Sequence, residues 1–159
     1  MNEAAWYDLN NPHLSPTQKI SVESWFQLPG NVMQYTFWLM AILSIYQPDV
    51  SMWTVLLVAL VANLVVGVIN WFVYYEALVR FLGLSLFHPF VIGVLGLGIA
   101  VFLVMHGAYF LAVVSAVTGI FSSMFLELHM ILYSFLSRKT GLHPKYYFAK
   151  HRLGAQLPF

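Results

Sequence analysis

The sequence predicts an all-α integral membrane protein: a four-transmembrane-helix bundle with a short interfacial N-terminal helix. Three observations predict it. Of 159 residues, 60% are hydrophobic and only 8% are charged, with a mean hydropathy of +0.77, whereas a soluble domain carries about 25% charged residues. A nearly unbroken apolar tract runs from about Val32 to Leu136. The few Lys and Arg residues fall in alternate loops, as the positive-inside rule requires of a polytopic chain.

Composition also removes whole classes of function. The chain has no cysteine, so disulfides, thiolate metal sites and cysteine nucleophiles are excluded. A net charge of +1 supplies no field to steer nucleic acid, and no nucleic-acid partner is expected. The 17% aromatic content suits a protein with two membrane interfaces to line.

Residues 1–30 form a polar N-terminal segment. Glu3, Asp8 and Glu23 against a single Lys19, with no apolar core, are unlike a secretory signal. Ser15-Pro16-Thr17-Gln18 has the pattern of a capped helix start with proline in the first turn. That helix is expected to end before Pro29-Gly30. Ile20, Val22, Trp25 and Phe26 give it an apolar side, which reads as an interfacial helix lying on the membrane. A surface helix against a partner subunit is the other reading.

Residues 31–137 hold four expected spans: Val32–Tyr46, Met52–Val79, Phe87–Met105, and one from after His106-Gly107 to Leu136. A span needs about 20 residues, so the second and fourth should tilt or project. Residues 138–159 form a basic, aromatic tail. Arg80 lies between spans two and three, and Arg138, Lys139, Lys145, Lys150 and Arg152 lie in the tail. Both termini are therefore expected on the cytoplasmic side of a plasma or inner membrane. The run Lys145 to Arg152 can anchor on an anionic leaflet or dock a partner protein.

The ionisable residues inside this tract need a reason to be there. With that orientation Glu76, Arg80, His88, Glu127 and His129 share one depth, at the cytoplasmic boundary. Glu76 and Arg80 are spaced for a helical ion pair. Ser115, Gly119, Ser123 and Glu127 recur by fours and form one ridge, with Thr118, Ser122 and His129 on its flank. Small residues at that spacing let helices approach closely. In span two, Ala59, Asn63 and Gly67 recur by fours and Asn70 follows, a stripe that should face protein or water. Gly93, Gly96 and Gly98 mark a close crossing in span three. These observations make Glu127, Glu76, Arg80, Asn63, Asn70, His88 and His129 the substrate-binding candidates.

No metal or haem is expected, and no cofactor. His106 falls at the opposite membrane face from His88 and His129, and Glu127 and His129 point about 200° apart on a helix. No HExxH or related metal motif is present, and no nucleophile–base pair marks a catalytic residue.

Spans one and two can be laid over spans three and four, each half closing on an acid and a basic segment. This size and two-plus-two plan resembles the GtrA-like family, small four-span proteins implicated in handling polyprenyl-phosphate-linked sugars. The stretch Asn63 to Phe81, with Ile69-Asn70-Trp71-Phe72, is similar to that family's Asn-Phe followed by a basic residue at the end of span two. Here Trp71 intervenes, Glu76 stands where more positive charge is expected, and span four lacks the Asn. The resemblance covers about residues 28–140. It implies a carrier or accessory for a lipid-linked anionic substrate, with Arg80 and the tail bases drawing the phosphate and Asn63 and Asn70 lining a track. The alternative is a non-catalytic hydrophobic subunit of a respiratory, photosynthetic or oxidase complex. The expected partners are membrane lipids together with either further copies of the chain or the subunits of a larger membrane complex.

Overall fold

The computed structural model describes residues 16–72, 81–122 and 124–140. Every regular element among them is an α-helix: α1 (Pro16–Tyr46), α2 (Met52–Phe72), α3 (Pro89–Met105), α4 (Tyr109–Ile120) and α5 (Met124–Thr140). Among the described residues one helix, α2, is long and apolar enough to cross a membrane, while α3 and α4 are shorter apolar helices.

The first departure from expectation is α1, which runs unbroken for 31 residues through Pro29. The expected interfacial helix and the expected first span are one element. Proline lacks the amide that would bond the carbonyl four residues back, which is why it usually stops a helix. Here the carbonyl left without that donor belongs to Trp25, and the side-chain amide of Asn70 on α2 donates to it at 2.8 Å. A hydrogen bond from another helix replaces the missing backbone one. The stretch of α1 just before Pro29 is therefore held inside the bundle, with Trp25 and Phe26 fully buried.

A tight turn joins α1 to α2, closed by the Val50 amide on the Gln47 carbonyl at 3.0 Å. Ser51 caps α2 by accepting the Thr54 amide at 3.1 Å, the usual way a serine satisfies a first-turn N–H. Helix α3 starts at Pro89 with His88 as its cap, the ring Nδ1 accepting from the Phe90 amide at 3.3 Å. Tyr35 on α1 reaches the carbonyl of Leu86 in the preceding turn, which fixes the start of α3 against α1.

Helix α3 ends in a glycine-closed turn. Gly107 adopts a φ of +75°, its amide bonds the Val104 carbonyl at 3.0 Å, and the Ala108 amide bonds Leu103 at 2.9 Å. This is the paired bonding of a Schellman cap. A Cβ at Gly107 would touch nothing, so substitution acts through backbone conformation alone. Gly107→Ala is expected to lower stability by about 1 kcal/mol, the left-handed penalty for an L-residue, as read by the thermal midpoint of the purified protein.

Helices α3 and α4 cross at two glycines. A Cβ on Gly96 would lie 2.8 Å from the Cα of Gly119, and one on Gly119 would lie 3.0 Å from the Cα of Gly96. The Ser115 hydroxyl donates to the Gly96 carbonyl across this contact at 2.9 Å. The expected close crossing in span three is therefore made by Gly96. Gly93 touches Gly119 only at ordinary distance, and Gly98 meets nothing. The core around the crossing comes from Phe37, Trp38 and Ala41 of α1, Val55 and Ala59 of α2, Ile92, Ala100 and Leu103 of α3, and Leu111 and Ala112 of α4.

The second departure is the expected fourth span, which is two helices. Helix α4 stops at Ile120, and α5 begins at Met124. The ridge Ser115, Gly119, Ser123, Glu127 therefore does not continue along one helix. Thr118 bonds Gln34 of α1 at 3.2 Å, while the Tyr133 hydroxyl lies 4.0 Å from the Cβ position of Gly67, beside Pro29 of the same α1. Five residues of α1 rise, about 8 Å, correspond to fifteen residues along α4 and α5, about 22 Å if they formed one helix. The break redirects the chain across α1.

Candidate functional site

Helices α2 and α5 run in the same direction, and side chains reaching between them form rungs. At the first rung the Asn63 side-chain amide meets His129 Nε2 at 3.3 Å. With Asn63 Nδ2 as donor, the ring Nε2 accepts. One turn on, the Tyr133 hydroxyl donates to the Gly67 carbonyl at 3.1 Å and accepts from Asn70 Nδ2 at 3.4 Å. The same Asn70 nitrogen donates to the Trp25 carbonyl, so both of its hydrogens are used. Spacing by four on each helix produces this ladder, because residues i and i+4 share a face.

Tyr133 is the hub. Its ring packs against Trp71 at 5.2 Å, Trp25 at 5.4 Å and Phe26 at 5.8 Å between centroids. Only 2% of its surface is exposed, and its hydroxyl is satisfied on both sides, as a buried tyrosine requires. No sequence signal singled it out: one tyrosine among nine, on an apolar stretch, has no distinctive spacing until His129 is known to face α2.

Beside the ladder, α2 and α5 enclose an open groove of about 310 Å³. Its polar end is the Asn63–His129 rung, and its far end is bounded by Phe72 and Thr140. Between them Leu64, Val68, Leu132 and Leu136 form apolar walls. Leu64 and Val68 are more than half exposed, so one wall faces outward from the bundle. Lys139 stands next to Thr140, with its ammonium 5.9 Å from the Phe135 ring centroid.

Of the seven candidates, the structure brings together Asn63, Asn70 and His129. Asn70 is buried against Trp25 and Tyr133, and Asn63 meets His129, so of the two environments expected for the stripe in span two, protein or water, both amides meet protein. His129 pairs with Asn63, nine positions before Phe72, the last described residue of α2, about 14 Å along the helix. His88 lies elsewhere, exposed at the start of α3, and its ring serves as a helix cap. Glu76 and Arg80 lie outside the described residues, as do residues 1–15 and 141–159. Glu127 is on α5, but its side chain is also outside them. Among the described residues no group of three His, Cys, Asp or Glu side chains could hold a metal ion.

No family model matches the sequence, and neither a curated protein nor a solved structure matches it. The likeness to the GtrA-like family therefore rests on the residues quoted for it.

Proposed function

We propose that this is an integral membrane protein whose α2–α5 groove receives the hydrocarbon chain of a lipid, and that it serves as a small carrier or accessory for a lipid-linked anionic substrate. The observation that carries this reading is the groove itself: apolar along its length, open to the outside of the bundle, and polar at the Asn63–His129 rung. In this reading α1, α2, α3 and the bent α4–α5 pair are the four passes, and both termini are cytoplasmic. The large exposed side chains Trp53, Leu57, Leu60, Phe90, Val101 and Val113, each at least half exposed, would then meet acyl chains rather than water. A chain lying against Val68 and Leu132 would bring its phosphate toward Thr140 and Lys139, with Arg138 next in sequence. An anionic group at such a cytoplasmic end gains about 1 kcal/mol from each nearby basic side chain.

The reading is tested by photocrosslinking in nanodiscs, using a polyprenyl phosphate with a diazirine in its chain. Labelling is expected on α2 and α5 residues of the groove and should be lost in Leu132→Trp, which fills it. A label spread evenly over all outward faces, unchanged by that substitution, overturns the proposal. So does recovery of the protein only with several larger chains and without bound lipid, the behaviour of a hydrophobic complex subunit.

A further inference from the structure

Asn31, Gln34 and Trp38 share a face of α1 that the α2–α5 groove does not use. At about 100° per residue the three fall within a 60° arc, roughly opposite Pro29, which faces α2. Their face looks onto α3 and α4. Gln34 Nε2 donates to Thr118 Oγ1 at 3.2 Å, and Trp38 Cζ2 lies 3.2 Å from where a Gly96 Cβ would stand. All three residues are at most 2% exposed.

Their polar atoms are largely unmatched. Asn31 Nδ2 and Oδ1, Gln34 Oε1 and Trp38 Nε1 are buried with no hydrogen-bond partner. The orientation of the Gln34 amide is set by chemistry. The Thr118 hydroxyl spends its hydrogen on the Val114 carbonyl at 2.8 Å, so it must accept from Gln34 Nε2, which leaves Oε1 as an acceptor. The group thus offers donors from Asn31 and Trp38 and acceptors from Asn31 and Gln34. Neither α3 nor α4 carries an ionisable side chain apart from Tyr109, so nothing there would compensate an ion.

The level of these residues along the bundle matters. Helices α1 and α4 run in opposite directions, and Gln34 meets Thr118. Asn31, about one turn before Gln34, is therefore level with Ser122, about one turn past Thr118, in the break between α4 and α5. Ser122 is itself buried. Irregular backbone inside an apolar bundle persists where it is buried in protein or lines water, and buried water commonly makes about three hydrogen bonds to groups the protein leaves unmatched.

We propose that the Asn31–Gln34–Trp38 face of α1 and the α4–α5 break enclose an internal water site, separate from the lipid groove. Water fits the group because it donates and accepts without charge. An anion would find no compensating cation on α3 or α4, and a cation would face the Trp38 N–H.

Radiolytic hydroxyl-radical footprinting of the purified protein in nanodiscs in H₂¹⁸O tests this, because radicals form at bound water. Trp38 is expected to take up ¹⁸O several-fold faster than Trp25, which is equally buried but enclosed by aromatic rings. Equal rates for the two tryptophans overturn the site. Asn31→Leu, of similar volume, is expected to slow Trp38 labelling several-fold and to lower the thermal midpoint. A raised midpoint, which the removal of two dry unmatched polar atoms would produce, also overturns it. If this variant does not fold, the wild-type comparison of Trp38 with Trp25 decides alone.

Discussion

Replacing Gly96 by alanine is expected to destabilise the protein by about 3 kcal/mol, at the upper end of typical overpacking costs. The new methyl would stand 2.8 Å from the Gly119 Cα, 3.0 Å from the Ser115 carbonyl and 3.2 Å from the Trp38 ring. Two of these three neighbours are backbone, so no rotamer change relieves them and α3 must move off α4. That movement would also stretch the Ser115–Gly96 hydrogen bond. Gly98→Ala is the matched control. Its Cβ meets nothing within 4 Å, and alanine in a helix interior should gain up to about 1 kcal/mol over glycine. Reversible unfolding of both variants in mixed micelles measures the contrast. Equal effects at the two positions would show that the crossing is looser than its geometry.

Asn70→Leu is expected to cost about 2 kcal/mol, because it strips the donor from a buried carbonyl while keeping a similar volume. The carbonyl is that of Trp25, whose helical partner Pro29 has no N–H. This dependence predicts a specific coupling. Pro29→Ala restores a backbone amide four residues after Trp25, so in that background Asn70→Leu should cost less by about 1–2 kcal/mol, within the range seen for residues sharing a network. The weaker bond from Asn70 to Tyr133 is not restored, so rescue should be partial. A double-mutant cycle of unfolding free energies checks this. Additive effects would mean that Asn70 does not stand in for the proline.

These two sites also show how much was legible in the residues. A crossing near Gly93, Gly96 and Gly98 was readable because small residues at that density on an apolar helix have few other uses, but not that Gly96 makes it. The stripe of Ala59, Asn63, Gly67 and Asn70 was readable as a side turned to protein or water because amides are costly on an apolar surface, but which of the two was not. The continuity of α1 was not readable. Pro29-Gly30 is a stop signal by every local rule, and the group that overrides it lies 41 positions away on α2. The break after Ile120 was equally hidden. Apolar residues flank Ser122-Ser123 on both sides, and hydropathy records the transfer of side chains, not where backbone hydrogen bonds end. The pairing of His129 with Asn63 was hidden for that reason, since it depends on where the last apolar stretch bends. Tyr133 was missed because its role depends on three aromatic neighbours from two other helices.

From its sequence alone the chain is determined to be apolar and helical, with a second helix long enough to cross a membrane and with Asn63 and Asn70 on a side turned to protein or water. Those properties come from side-chain transfer and local periodicity, which are summed along the chain. Tertiary structure alone decided that Asn63 meets His129, that Asn70 completes a proline-interrupted helix, that Gly96 meets Gly119, and that the last apolar stretch bends into two helices. Each of these depends on a hydrogen bond or a close approach between residues distant in sequence. No pattern within one segment encodes the partner that another segment will supply.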